Sequence, residues 1–111
     1  MTHLYISGPM TGYPDYNFPA FERAARQLRA VGYDVTSPHE LAPSTDKAWA
    51  DYLRADLIAM LTHCTAVATL RNWGVSRGAT LEVRVARSVS MTVYPVEWWA
   101  ARDPETLGIP A

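Results

Sequence analysis

The chain has 111 residues, of which 49% are hydrophobic, and its formal net charge is −1. This length fits one domain, and the apolar fraction supports a packed core, which excludes wholesale disorder. The near-zero charge excludes the basic footprint of a protein that binds polymeric DNA or RNA, although a few local cations suffice to bind a small anionic metabolite.

The single cysteine, Cys64, cannot form an internal disulfide, which favours a reducing, cytoplasmic location. The N-terminus lacks the basic region and apolar run of a signal peptide, and no apolar run approaches the roughly 18 residues of a membrane span. No membrane partner is therefore expected. His39 and His63 form no metal-like spacing with Cys64, so neither a metal nor another cofactor is predicted.

The first half of the chain predicts a strand, a helix and a second strand. The strand over 3–7 is followed by a long loop, 8–17, that is rich in glycine, proline and tyrosine. The helix is predicted over 18–31 because apolar residues recur at spacings of three and four while Glu and Arg fill the other face. Gly32 is the expected helix stop, and 33–36 is the second predicted strand.

The second half continues the same alternation. A loop over 39–47, with Pro38 and Pro43 as breakers, precedes a helix that ends near residue 62. The apolar run 65–70 predicts a strand buried on both faces. A third helix follows Ser76, a fourth strand covers 91–94, and the tail holds at most one short helical turn. The candidate caps of the second helix are Ser44, Thr45 and Asp46.

This alternation predicts an α/β fold. We expect a three-layer sandwich with a Rossmann- or flavodoxin-like parallel sheet of four to five strands, helices on both faces, and a single domain over 1–111. Ligands of such sheets bind outside the carboxyl ends of the strands, near the point where the strand order reverses. Three loops, 7–16, 37–44 and 71–78, would meet at that edge, so the aromatic loop is predicted to form a wall of a site.

One carboxylate occupies a position on the second helix where an apolar residue is expected. Asp56 shares a stripe with Trp49, Leu53 and Met60, which aims it at the core side. A carboxylate in that position must be paired or neutralised. The alternative is an aspartate at the edge of the stripe that contacts solvent or a neighbour such as Arg54.

A second carboxylate, Glu82, lies between Leu81 and Val83 in the third helix. It lies near the positive end of that helix, where the dipole favours the ionised form. A capping-box role requires Ser or Thr three residues earlier, and residue 79 is Ala. A plain solvent-facing glutamate is the remaining alternative.

The start of the third helix carries the sequence Ser76-Arg77-Gly78. A hydroxyl, a cation and free amides would coincide there, which suits a phosphate group, although ordinary N-capping by Ser76 explains the same pattern. The loop from Gly8 to Gly12 does not match the dinucleotide-binding fingerprint. Neither a Walker motif nor a Ser-His-Asp order is present.

Three segments, which together span 5–86, carry a resemblance to a known family: YISGPMTG, DYLRADLIAMLTHCTAVATL and WGVSRGATLEVRVA. With these segments the chain resembles the nucleoside 2-deoxyribosyltransferase superfamily, which includes the 2'-deoxynucleoside 5'-phosphate N-hydrolases. The closest resemblance is to its small members from phage and bacterial genomes. The resemblance implies cleavage of the N-glycosidic bond of a 2'-deoxynucleoside or 2'-deoxynucleotide, by hydrolysis or base transfer, through a covalent deoxyribosyl-glutamate intermediate.

The resemblance also implies roles for individual residues. Glu82 matches the nucleophile, Asp56 the aspartate that holds the deoxyribose or assists protonation of the base, and Tyr5 the tyrosine close to the nucleophile. The nucleotide-binding loop positions match Gly8 and Met10, and the phosphate-binding loop matches Ser76 and Gly78. The family's basic residue in the first loop has no counterpart in 9–12, which leaves Arg71 and Arg77 as candidate phosphate ligands.

The resemblance further implies a homo-oligomer, since family members complete their sites with residues from a neighbouring subunit. Within the long loop, Tyr13, Tyr16 or Phe18 is expected to stack on the base or cover the site against water, or alternatively to pack against a partner subunit. Two alternatives to catalysis stay open. One is a non-catalytic nucleotide-binding or sensing module of the same fold, and the other is a small scaffold that assembles through Trp73, Trp98 and Trp99.

Overall fold

Four parallel strands form one sheet in the order β2-β1-β3-β4 in the computed structural model, which describes residues 1–41 and 48–106. The strands are β1 (His3–Ser7), β2 (Asp34–Thr36), β3 (Ala66–Thr69) and β4 (Thr92–Pro95). The predicted α/β class with a parallel sheet is confirmed. The strand order reverses between β1 and β3, so their carboxyl ends, at residues 7 and 69, define the crevice in which such sheets bind ligands.

Five helices connect the described strands or follow them: α1 (Phe18–Val31), α2 (Pro38–Leu41), α3 (Trp49–His63), α4 (Arg77–Ser88) and α5 (Val96–Ala100). Short 3-10 turns cover Pro14–Asn17 and Trp73–Val75. The bounds of α1 agree with the prediction. Gly32 ends α1 with a left-handed φ of +118°, a conformation that glycine adopts without steric penalty.

The loop predicted over 39–47 is partly wrong, because α2 (Pro38–Leu41) covers its first residues. Pro38 begins this helix instead of breaking structure, since proline fits the first helical position, where its missing N–H is not needed. The predicted caps Ser44, Thr45 and Asp46 lie outside the described residues. As described, α3 begins at Trp49 after an extended Ala48 that makes no side-chain cap.

The alternation of side chains along β1 and β3 divides the core into two layers. Leu4 and Ile6 of β1 pack with residues of α1 and α5 on one face of the sheet. Tyr5 points to the opposite face and packs with Met60 of α3, Val67 of β3 and a residue of α4. Helices therefore cover both faces, as predicted.

The end of the described chain is fixed to the sheet by Trp99, which is fully buried. Its indole N–H donates to the backbone carbonyls of Val67 at 3.0 Å and Tyr94 at 3.1 Å, and the Tyr33 hydroxyl donates to the carbonyl of Trp99. These bonds satisfy the buried polar groups at this corner. No helix in the described ranges is long and apolar enough to span a bilayer.

Candidate active site

Glu82 lies on the face of α4 that packs against the sheet. The helix begins at Arg77 because the Ser76 hydroxyl oxygen accepts a hydrogen bond from the backbone N–H of Ala79 at 3.2 Å. The buried positions of α4 recur with helical spacing: Ala79, Glu82, Val83 and Ala86. Glu82 therefore lies on the buried face of the helix, and only 5% of the residue's surface is exposed. This rules out the solvent-facing alternative.

Two hydroxyl groups of β1 hold the Glu82 carboxylate. The Tyr5 Oη donates to Oε2 at 2.7 Å, and the Ser7 Oγ donates to Oε1 at 2.7 Å. Tyr5 and Ser7 are two residues apart, so both side chains leave the strand on the same face. One strand therefore provides a donor to each oxygen of the carboxylate, at the end of β1 where the fold places its ligand crevice.

The environment of Glu82 favours its neutral form at low pH and permits ionisation near neutrality. Burial raises the pKa of Glu82 from 4.5 to about 7, and the charge of Asp56 raises it further, whereas the hydrogen bonds from Ser7 and Tyr5 lower it. The carboxyl group is thus divided between its two protonation states at neutral pH. A buried carboxyl group with a pKa in this range is typical of catalytic sites.

Asp56 of α3 is half-buried on the same side of the sheet, and burial raises its pKa from 3.8 to about 7. Its charge acts on both Glu82 and Tyr5, whose own pKa burial and the nearby carboxylates raise well above the usual value. No ion pair joins Asp56 to Arg54 within the part of the chain that the structure describes. The structure therefore brings three predicted site residues, Tyr5, Asp56 and Glu82, into one electrostatic cluster.

The predicted phosphate-binding segment lies at the start of α4, close to the start of α3. The Ser76 side chain serves as the helix cap, as the alternative explanation of the motif required. The Arg77 guanidinium lies 4.2 Å from the centroid of the Trp49 ring, a cation–π contact that connects the N-termini of the two helices. Gly78 lies next to the same ring, since a Cβ added to this glycine would lie 3.9 Å from the Trp49 Cζ2.

The three remaining predicted ligand-binding residues, Gly8, Met10 and Arg71, have surroundings of their own. A Cβ on Gly8 would lie 2.6 Å from the Leu70 Cβ, so the close approach of two chain segments after β1 and β3 explains this glycine without a ligand. Met10 packs against the core layer on the other face of the sheet. Arg71 is exposed and lines an open cleft with Trp73 and neighbouring residues.

The long loop after β1 contains three consecutive residues with a left-handed backbone, at φ values of +52°, +54° and +61°. The last of them, Asn17, donates from Nδ2 to the Pro9 carbonyl and so closes the loop on itself. The ring of Tyr16, which is 60% exposed, lies 6.0 Å from that of Phe18. Non-glycine residues rarely adopt this conformation, so the loop holds its aromatic side chains in a defined, strained arrangement.

Ser7 is the site residue that the sequence pattern did not reveal. The sequence does contain a signal, because a strand places residues i and i+2 on one face and Tyr5 is itself a predicted site residue. A serine at the end of a predicted strand indicated only the point where the strand stops. The role of Ser7 depends on the position of Glu82 on α4 relative to β1, which is a feature of the tertiary structure that local periodicity does not predict.

In the described ranges, the other reactive residues do not form a second centre. Cys64 is half-buried, and burial raises the pKa of its thiol to about 11, which keeps it protonated and unreactive at neutral pH. Among residues 1–41 and 48–106, no group of three or more His, Cys, Asp or Glu side chains is arranged to hold a metal ion.

The fold and the cluster define a parallel α/β domain with a buried Tyr-Ser-Glu site at the reversal of strand order. The chain belongs to the family described as Domain of unknown function (DUF4406), which matches residues 2–94. No curated protein sequence matches the chain.

Proposed function

We propose that the protein cleaves the N-glycosidic bond of a 2'-deoxynucleoside or 2'-deoxynucleotide, in keeping with its resemblance to the nucleoside 2-deoxyribosyltransferase superfamily. The observation that carries the proposal is the buried Glu82 carboxylate, which Tyr5 and Ser7 hold by hydrogen bonds and whose pKa is raised in part by the charge of Asp56, a second carboxyl group with a raised pKa. Retaining glycosidases use a pair of carboxyl groups whose pKa values are shifted by their environments.

In the first step an oxygen of the ionised Glu82 attacks the anomeric carbon of the deoxyribose. A carbon–oxygen ester bond forms, the bond from the anomeric carbon to the base nitrogen breaks, and its electron pair leaves with the base. Protonated Asp56 gives its proton to the departing base. With no 2'-hydroxyl to withdraw electrons, the positive charge that develops on the sugar forms more readily, which favours deoxy substrates.

In the second step water attacks the same carbon, the ester bond breaks, and Glu82 returns as a carboxylate. The proton released by water goes to the ionised Asp56, which restores the starting state of both carboxyl groups. A second base in place of water yields base transfer. The raised pKa of each group serves this cycle, because near neutral pH one can be ionised while the other is protonated.

A phosphate on the substrate has a favourable position at the start of α4. The first N–H groups of a helix have no partner within it and favour an anion, and Arg77 adds a positive charge there. Arg77 already contacts Trp49, so it would bind phosphate from a side chain held in place. A 5'-phosphate therefore fits the site as a second, separable determinant of substrate choice.

We further propose that the protein acts as a homo-oligomer. The outer side of α3 exposes two large apolar residues one turn apart, Ile58 at 59% and Leu61 at 48%. Residues three apart are neighbours on a helix surface, so together they form an apolar patch suited to a second copy of the chain. The carboxylate cluster lies on the same layer as α3, which is consistent with an assembly around the site.

A mixed pool of deoxynucleosides and deoxynucleoside monophosphates, incubated with the protein and separated by chromatography, tests the activity. The wild type should release free base, and Glu82→Gln should release none. If the wild type releases no base from any member of the pool but binds a deoxynucleotide in calorimetry, the protein is instead a non-catalytic binding module.

A further inference from the structure

Ser7 is placed so that it acts on Glu82 and not on a ligand. It is the last residue of β1, its side chain has no solvent-exposed surface, and its hydroxyl donates to Oε1 of Glu82 at 2.7 Å. Glu82 itself retains a small exposed surface. A ligand that reaches the carboxylate therefore has no access to Ser7 in this arrangement, so its effect must pass through Glu82.

The geometry points to Ser7 as a positioning residue that fixes the plane of the Glu82 carboxylate for attack on the sugar. This inference rests on the proposed function. The last torsion of a glutamate side chain is broad and two-fold, so a single hydrogen bond holds one oxygen but leaves the plane free to turn. Tyr5 holds Oε2, and only with Ser7 on Oε1 are both oxygens fixed.

The same hydrogen bond also favours the charged form of the nucleophile, against the larger effect of burial. Both donors favour the ionised carboxylate, against burial and the charge of Asp56, and Ser7 has the larger effect of the two. Among the residues that the structure describes, the titratable groups that act on Glu82 are Tyr5 on β1 and Asp56 on α3. Removal of the Ser7 hydroxyl should therefore both loosen the carboxylate and shift its ionisation to higher pH.

Three variants separate the hydroxyl from the volume of the side chain. Ser7→Ala removes the donor, and Ser7→Cys keeps a group of similar size that donates only weakly. Ser37→Ala is the matched control for burial, because Ser37 is equally inaccessible but its hydroxyl contacts His39 at 2.6 Å. All three are compared with the wild type by circular dichroism and thermal unfolding before any further measurement.

The first readout is the titration of the Glu82 side-chain carboxyl carbon by NMR, in protein labelled with carbon-13 in its five glutamates and assigned with Glu82→Gln. A lost hydrogen bond to a charged acceptor should move the midpoint upward by about one to two pH units in Ser7→Ala. Ser7→Cys should move it less, and Ser37→Ala should leave it in place. This readout does not require turnover.

The second readout is the pH profile of base release. In Ser7→Ala the acidic limb of this profile should move to higher pH together with the NMR midpoint. At high pH, where Glu82 is ionised in both proteins, kcat should still be at least about tenfold lower than in the wild type, because the carboxylate is misaligned. KM should change by less than about twofold, since Ser7 does not touch the substrate. Ser7→Cys should recover part of kcat.

The outcomes are distinct for the two proposals. An unchanged NMR midpoint in folded Ser7→Ala, or a kcat equal to that of the wild type, overturns the positioning role. If the wild type releases no base while the midpoint still moves in Ser7→Ala, the proposed function fails and the hold of Ser7 on the carboxylate stands. Should Ser7→Ala not fold, the same two criteria apply to Ser7→Cys.

Discussion

Replacement of Glu82 by glutamine should stabilise the protein at alkaline pH. The folded protein raises the pKa of Glu82 from 4.5 to about 7, so between these values it binds the proton more tightly than the unfolded chain does. The stabilising effect of this proton is complete below about pH 4.5 and is lost as the pH rises through 7. Above that range the folded state carries a buried charge that the unfolded state solvates.

The magnitude follows from the pKa. Each pKa unit corresponds to about 1.4 kcal/mol, so a change from 4.5 to about 7 means that ionisation of Glu82 costs the folded state about 3 kcal/mol. Glutamine has nearly the same shape as glutamate. Its side-chain oxygen can accept a hydrogen bond from one of the two hydroxyl groups, and its side-chain nitrogen can donate one to the other. It therefore removes the charge without leaving a buried polar group unpaired.

Urea unfolding, followed by the fluorescence of the four tryptophans, measures the effect at both ends of the pH range. At about pH 8.5 Glu82→Gln should be more stable than the wild type by roughly 2–3 kcal/mol, equivalent to about 10 °C or more in Tm, with little difference at about pH 4.5. Glu105→Gln, a change at an exposed glutamate, should stay within about 0.5 kcal/mol at either pH. A Glu82→Gln protein that is no more stable than the wild type at alkaline pH would refute the electrostatic account of the site.

Three further changes test the fold and the chemistry. Gly8→Ala should destabilise the protein by about 1–3 kcal/mol in urea unfolding, because the added Cβ would overlap Leu70. Gly74→Ala is the control and should be near neutral, because its Cβ would meet no atom within 4 Å. Equal effects of the two substitutions would contradict the close packing of Gly8 against Leu70. Trp99→Phe leaves two backbone carbonyls without their indole donor and should lower thermal stability by about 2–3 kcal/mol, and an unchanged Tm would count against this anchor. Asp56→Asn should lower base release about 10²–10⁴-fold and abolish the alkaline limb of the pH profile, and a retained limb would assign the proton to another group.

Sequence periodicity was sufficient for most of the fold. The apolar spacing of 18–31, the stop at Gly32 and the cap at Ser76 are local signals, and the helices they define appear where they were predicted. The exception is α2, because Pro38, a predicted breaker, occupies the first position of this helix. Proline alone does not distinguish the two roles, because the residues after it decide whether a helix turn can form.

The site was predictable only in part. The unusual positions of Asp56 and Glu82 on apolar stripes could be read from helical spacing, and these are the carboxyl groups whose pKa values burial raises. The hydrogen bond from Ser7 depends on the distance between a strand and a helix that are 75 residues apart in the chain. Likewise, Met10 follows the first strand closely in sequence but packs on the other face of the sheet, which sequence proximity does not predict.

The most direct measurement of the central claim is a search for a covalent sugar on Glu82. The protein is mixed with the deoxynucleoside or deoxynucleotide from which it releases base, denatured within the first turnover, digested, and mapped by mass spectrometry. The peptide that contains residue 82 should carry one deoxyribosyl group in the wild type and none in Glu82→Gln. Release of base by the Glu82→Gln protein at the rate of the wild type, with no sugar on this peptide in either protein, would contradict the account.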